Sequence, residues 1–308
     1  MNILLFIAAA YLIYSAFRFN VIVGAVAVLA LLAYAYYRWY PNFCVSQARK
    51  TYRKDPEKGM KWFARCEKRM NIGQMELYAF YLLREGQAEK SEEIYKRLLK
   101  SGLKPELRLK IRSEYAVLLT KTGRVDEAIS ELEDIVVHYT NTTTYGSLGY
   151  CYLLGNSVRK AKNYNEEAYD YNSDDPVILD NMTQLYIKLG DYNKAKKYAD
   201  ELLEKKPYFV EAYYDSAYVY FMLGDKEKAK ELIEDAKCCR ITFMSTVKET
   251  EIAQLEKAVN SNDKNFPHKL GKFTGEEEYK EEEFENLPTI EEENQAVEEY
   301  EDEDDPFI

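Results

Sequence analysis

The sequence predicts an all-α protein: a superhelical solenoid of helix-turn-helix repeats, with a transmembrane helical hairpin before it and a disordered acidic tail after it. Three observations carry that expectation. Read in steps of 34 residues, the chain aligns Gly149, Thr183 and Ala217; Tyr152, Tyr186 and Tyr220; and Ala161, Ala195 and Ala229. A fourth column holds Ala168, Leu202 and Ala236. A 34-residue period is the length of one pair of antiparallel helices in a stacked array. The second observation is a pair of apolar runs at the N-terminus, and the third is a strong segregation of charge along the chain.

Residues 1–40 read as a membrane anchor of two short transmembrane helices, about 1–17 and 21–39. Met1–Phe17 and Val21–Tyr37 contain no charged side chain, and Arg18-Phe19-Asn20 separates them. Each run is at the short end of what crosses a bilayer core of about 30 Å. A cleaved signal peptide fits poorly, because no basic region precedes the first run and a second run follows it at once. A single span with an interfacial flank remains open; the hairpin is preferred because both runs are apolar on every face. Ala8, Ala9, Ala10, Gly24 and Ala25 would allow close packing of the two helices. Tyr34, Tyr36, Tyr37, Trp39 and Tyr40 would form an interfacial aromatic belt. From Arg38 to Arg69 ten Lys and Arg face three acids. That excess predicts a cytoplasmic repeat domain and a contact with anionic lipid near residues 49–69.

Residues 41–260 hold the repeats. Gly190-Asp191-Tyr192-Asn193-Lys194-Ala195, followed by Pro207, and Gly224-Asp225-Lys226-Glu227-Lys228-Ala229 resemble the tetratricopeptide repeat (TPR) pattern, here of the membrane-anchored bacterial type. The match is strongest over residues 142–243. Weaker units are marked by Ala116, Gly123 and Ala128, by Ala79, Gly86 and Ser91, and by Gly59, which gives about six units and a closing helix near Ser245–Ala258. The column residues Gly149, Tyr152, Ala161, Thr183, Tyr186, Ala195, Ala217, Tyr220 and Ala229 are expected to pack helix on helix. The resemblance also implies that the fifth and ninth positions of each unit line a concave groove. Those positions are Glu76/Phe80, Ser113/Val117, Gly146/Tyr150, Asp180/Gln184 and Tyr214/Tyr218. The family's clamp for chaperone tails needs Lys at the fifth position and Asn at the ninth, and neither is present. The expected partner-binding face is therefore aromatic: Phe80, Tyr150, Tyr214, Tyr218 and Phe221.

Residues 261–308 carry eighteen acids and four lysines, so they account for more than the whole net charge of −11. Runs such as Glu281-Glu282-Glu283 repel one another and bury little, which predicts disorder. The chain ends on the apolar Pro306-Phe307-Ile308, a candidate to fold back into the groove. Five cysteines without framework spacing are expected to be reduced thiols.

Nothing in the sequence carries catalysis. GxxxxGK[ST], HExxH and GxSxG are absent, and the two histidines, His138 and His268, fall at a helix end and in the tail. No catalytic residue, metal ligand or cofactor is expected, and no nucleic-acid contact. The expected function is a membrane-anchored cytoplasmic TPR scaffold that binds a protein or peptide in its groove. The alternative is an exported array tethered on the outer face of the membrane, assisting envelope-protein assembly.

Overall fold

The computed structural model describes residues 3–155 and 157–273, with side chains from residue 10 onward. Pro306-Phe307-Ile308, most of the acidic tail, and the side chains of Ala8 and Ala9 lie outside the described residues. Among those described there are fourteen α-helices, one 3-10 turn and no strand. The chain divides into two compact units, residues 1–82 and 83–308.

In the first unit, α1 (Ile3–Phe19) is followed after Asn20 by α2 (Val21–Tyr52). The Asn20 side chain accepts from the Ile22 N–H and caps α2. The expected second helix of 21–39 is therefore too short: α2 continues through Pro41 to Tyr52, and it is long and apolar enough to cross a membrane. α1 contacts α2. A Cβ on Gly24 would lie 2.4 Å from the Phe17 ring, but Ala10 and Ala25 are exposed, and Gly24 is the one buried residue of 10–40. Beyond Pro41 the helix changes character. Cys44, Val45, Ala48 and Tyr52 are buried, spaced to form one stripe, and α2 packs on α3 (Pro56–Cys66). Gly59 permits this: a Cβ there would stand 2.8 Å from the Tyr52 Cα. Phe63 stacks on Tyr78 at 5.4 Å, and Tyr52 meets Tyr81 edge-on at 4.4 Å. Burial among these rings, with Cys44 beside it, pushes the Cys66 thiol up to about 12, so it stays protonated.

The helix α4 (Ile72–Arg84) contains the division between the units. The second unit then alternates α5 (Ala88–Leu99), α6 (Pro105–Lys121), α7 (Val125–Val136), α8 (Thr142–Leu154), α9 (Val158–Tyr171), α10 (Pro176–Leu189), α11 (Tyr192–Glu204), α12 (Val210–Leu223), α13 (Lys226–Cys238) and α14 (Glu249–Ser261). The closing helix thus starts four residues later than the sequence suggests. Helices pair as α6/α7, α8/α9, α10/α11 and α12/α13, and the first helices α6, α8, α10 and α12 also touch their successors. Those four build one continuous face.

The Gly-Asp turns explain the pairing chemically. Gly190 ends α10 at φ +79, its N–H bonding back to the helix, and Asp191 then accepts from the Lys194 N–H to start α11. Gly224 and Asp225 repeat this between α12 and α13. Only a residue without a Cβ adopts that left-handed conformation without strain. Apart from the half-buried Tyr220, the column residues are buried as a stack, Ala161, Thr183, Ala195, Ala217 and Ala229 completely. Gly149 allows three helices to converge. The Asn165 Nδ2 donates to its carbonyl at 3.1 Å, and a Cβ would lie 2.3 Å from the Asn165 Oδ1.

The tyrosine column has a second role. Tyr152 on α8 donates to Glu133 on α7 at 2.7 Å, Tyr186 on α10 to Glu166 on α9 at 3.1 Å, and Tyr220 on α12 to Asp200 on α11 at 2.5 Å. Each joins a unit to the one before it. The acids are held in turn by Lys160, Lys162 and Lys196. Burial and the adjacent carboxylate both push the Tyr152 phenol well up, so the hydroxyl remains a donor. Finally, the segment between α13 and α14 returns to the start of this unit. The Phe243 N–H donates to the Arg84 carbonyl at 3.2 Å, and Arg240 pairs with Glu85 at 2.8 Å.

Candidate functional site

The face built by the first helices is covered at one end and open at the other. At the covered end, residues 264–273 of the chain lie against α10 and α12. Tyr218 donates to the Phe266 carbonyl at 3.2 Å, Lys264 sits 4.1 Å above the Phe221 ring, and Lys188 reaches the Leu270 carbonyl at 3.4 Å. His268, placed by sequence in the disordered tail, is 5% exposed. Its Nε2 is 2.8 Å from the Asp215 Oδ1, and its ring is 4.9 Å from Tyr218. The Leu270 N–H lies 3.4 Å from the Nδ1. Tyr214, Tyr218 and Phe221, expected as an open partner face, are instead buried beneath this segment. The physical reason is plain: a short stretch containing Phe266, His268 and Leu270 lies close in sequence to α14, and it offers apolar rings where the acidic runs beyond it offer none.

The same segment completes a polar chain across α10 and α12. The Gln184 Nε2 donates to the Asp180 Oδ2 at 2.8 Å and to the Asp215 Oδ2 at 2.7 Å. Burial acts to raise Asp215, but Lys269, His268 and the hydrogen bonds it accepts outweigh that and hold it below the usual carboxylate range. Burial and the neighbouring Asp215 charge push Asp180 well above that range; Lys269 and Lys121 act to lower it but are outweighed.

At the open end lies a pocket of about 300 Å³. Its walls come from α6 (Val117, Lys121), α8 (Gly146, Tyr150), α10 (Asp180, Gln184) and the residues before and after α12 and α13 (Phe209, Met244, Thr246). The fifth and ninth positions of successive units therefore meet here. Glu211 accepts from both the backbone N–H and the hydroxyl of Thr246, closing one side. Lys121 lies 5.4 Å from the centre of the Tyr150 ring, and burial lowers its basicity. Phe80, in the other unit, is 38% exposed. Sequence reasoning missed Lys121, Glu211 and His268. The 34-residue columns hold no trace of them because none belongs to a repeated position.

Comparison with known proteins agrees with this architecture. Residues 186–237 match the family model of the tetratricopeptide repeat. Among solved structures, a tetratricopeptide repeat protein from Parabacteroides merdae aligns at a TM-score of 0.59 and 14% identity, over 82% of this chain and 98% of that one. PilW, described as a widely conserved type IV pilus biogenesis factor, aligns at 0.51 and 14% identity, over 64% of this chain and 92% of that one. No curated protein matches the sequence. The helical array therefore has the fold of tetratricopeptide-repeat structures, and residues 186–237 carry that repeat.

Proposed function

We propose that this protein is a membrane-anchored, non-enzymatic TPR scaffold that holds its array in the cytoplasm and binds a protein or peptide partner on the first-helix face. The observation that carries the reading is the pocket beside Tyr150, where groove positions of three successive units converge on unoccupied surface. The other half of that face, with Tyr214, Tyr218 and Phe221, is already covered by the chain itself, so the partner surface narrows to α6, α8 and α10. The anchor rests on α2, whose residues 21–39 are almost wholly exposed. A first span in α1 would return the N-terminus to the cytoplasm.

The expected lipid contact also narrows. A helix rises about 1.5 Å per residue, so an upright α2 places Arg49 about 18 Å beyond Tyr37, outside a headgroup layer of roughly 5–8 Å. Arg38 and Arg69 suit that layer better, since the Arg69 guanidinium lies 4.7 Å from the Tyr37 ring centre. Nucleic acid has no part in this reading.

Two experiments test it. A photo-crosslinking phenylalanine analogue placed at Tyr150 should yield a discrete adduct in cells, and the same analogue at buried Tyr214 should not; equal labelling at both would sink the assignment. A reporter active only in the cytoplasm should work when fused after Ile308. A silent reporter, with an exported one active, would turn the reading into that of an array on the outer face.

A further inference from the structure

The first unit holds a cleft that neither the partner face nor the anchor uses. It has a volume of about 600 Å³ and lies between the end of α2 and α4, within residues 1–82. Three cations line it, Arg49, Lys50 and Arg53, and no carboxylate does. All three are exposed, and none makes a hydrogen bond or ion pair among the described residues. The acids nearby in sequence are committed elsewhere. Asp55 caps α3 by accepting from the Lys58 N–H, and Glu57 pairs with Lys61 at 2.6 Å. Glu76, on α4, is buried and does not line the cleft.

The carbonyl end of α2 favours positive charge. It does not account for the rest of the lining, which is equally rich in donors. On the α4 wall, the Gln74 Oε1 accepts from the Asn71 backbone N–H at 3.1 Å, and a backbone N–H can only donate. That fixes the orientation of the Gln74 amide, so its Nε2 is the atom that faces Asn42 at 2.6 Å. The Asn42 Oδ1 is then the acceptor, and its NH2 group is left as a donor on an exposed side chain. Both amide oxygens of the lining are thus engaged, while the Asn42 NH2 and the Ser46 hydroxyl have no partner among the described residues.

The cleft offers hydrogen-bond donors and positive charge, with no carboxylate to compete. A phosphate group, with three strong acceptor oxygens and about 1.5–2 negative charges at neutral pH, is the complementary ligand. Arginine suits it further, since its planar fork matches phosphate oxygens in pairs. The volume falls within the ~300–1,000 Å³ of small-molecule sites, which leaves room for more than one such group.

We infer that this cleft binds a soluble phosphate-bearing molecule, with Arg49, Lys50 and Arg53 taking the phosphate oxygens and Asn42 donating beside them. Phosphate is available both from solution and from lipid headgroups. Arg49 stands about 18 Å beyond Tyr37 along an upright α2, past the headgroup layer, so solution is the source. The site stands on its lining alone; the choice of source rests on the anchor reading above.

The test is isothermal titration calorimetry on the full-length protein in uncharged detergent micelles, with inorganic tripolyphosphate as the probe. Physiological salt screens diffuse attraction, and circular dichroism checks the folding of each variant. Tripolyphosphate should bind, and Arg49→Gln and Arg53→Gln should each weaken it by about 10-fold or more, the loss expected for a hydrogen bond to a charged group. Asn42→Asp sets a carboxylate among the cations and should abolish binding. Lys58→Gln removes an equally exposed cation outside the lining and should leave the affinity nearly unchanged. No binding, or an equal loss in Lys58→Gln and Arg49→Gln, would overturn the site. Phosphatidylglycerol added to the micelles should not compete. Competition that disappears in Arg49→Gln would overturn the soluble source and the upright α2 behind it, while the cleft itself would stand.

Discussion

The seams between repeats and the polar chain under residues 264–273 use the same ingredients, hydroxyls, carboxylates and amides, to opposite ends. At the seams the pairs recur: Tyr152–Glu133, Tyr186–Glu166 and Tyr220–Asp200 join successive units with little variation, and each acid has a lysine beside it. The polar chain Asp180–Gln184–Asp215–His268 occurs once, is buried, and leaves two oxygens without partners. The seams stabilise the stack of units. The polar chain has no counterpart in the other described repeats and carries a cost, which sets it apart from the repeated seams.

Substitutions should separate the two regions. The largest effect is expected from Asp215→Ala, which strands the His268 and Gln184 N–H donors in a fully buried site. At about 1–3 kcal/mol for each lost partner, a loss of roughly 2–6 kcal/mol in chemical denaturation is expected. A change below about 1 kcal/mol would show that the 264–273 segment is not held as described. Asp180→Asn should act in the opposite direction. Because the folded state raises the pKa of Asp180, its contribution favours folding below the unfolded value near 3.8 and is lost as pH rises from there toward the folded value. The variant should therefore be more stable than the unaltered protein at neutral pH, with the gap closing on acidification. Asp215, held low, works the other way: its contribution is present above its unfolded value and lost as pH falls through the folded one.

Ala195→Leu adds three carbons where α11 meets its neighbours and should cost about 1–3 kcal/mol by overpacking. Coupling between adjacent units should spread the damage, visible as faster amide exchange in α10 and α12. Tyr220→Phe removes one half-buried seam hydroxyl and should cost about 0.5–1.5 kcal/mol. If Tyr220→Phe proves as damaging as Asp215→Ala, the division between repeated seam and unrepeated polar chain fails.

The packing columns were legible in the sequence and the polar chain was not, for a physical reason. Close packing constrains every unit identically, so Ala161, Ala195 and Ala229 repeat, and Gly190 and Gly224 repeat because each turn needs a left-handed residue. The acids that receive the tyrosines stand 19 or 20 residues earlier among many other acids, and spacing alone could not choose them. His268 was missed because it lies in a stretch whose charge resembles the tail beyond it; its partner, Asp215, is 53 residues away. The anchor was read from its uncharged run, which stops at Arg38, so nothing marked that the helix goes on; α2 passes through Pro41 to Tyr52, mostly exposed before it and fixed on α3 after it.

The return of residues 240–243 to Arg84 and Glu85 has a consequence for how the array moves. A solenoid held only by neighbouring contacts is a spring, free to stretch from either end. The Arg240–Glu85 pair spans 155 residues, and with the Phe243 backbone bond it makes the second unit a loop with a latch. Pulling on residue 83 while holding residue 261 should first break this latch, releasing a step of extension before any helix unfolds. Load arriving along the chain would thus meet a threshold rather than a gradual give.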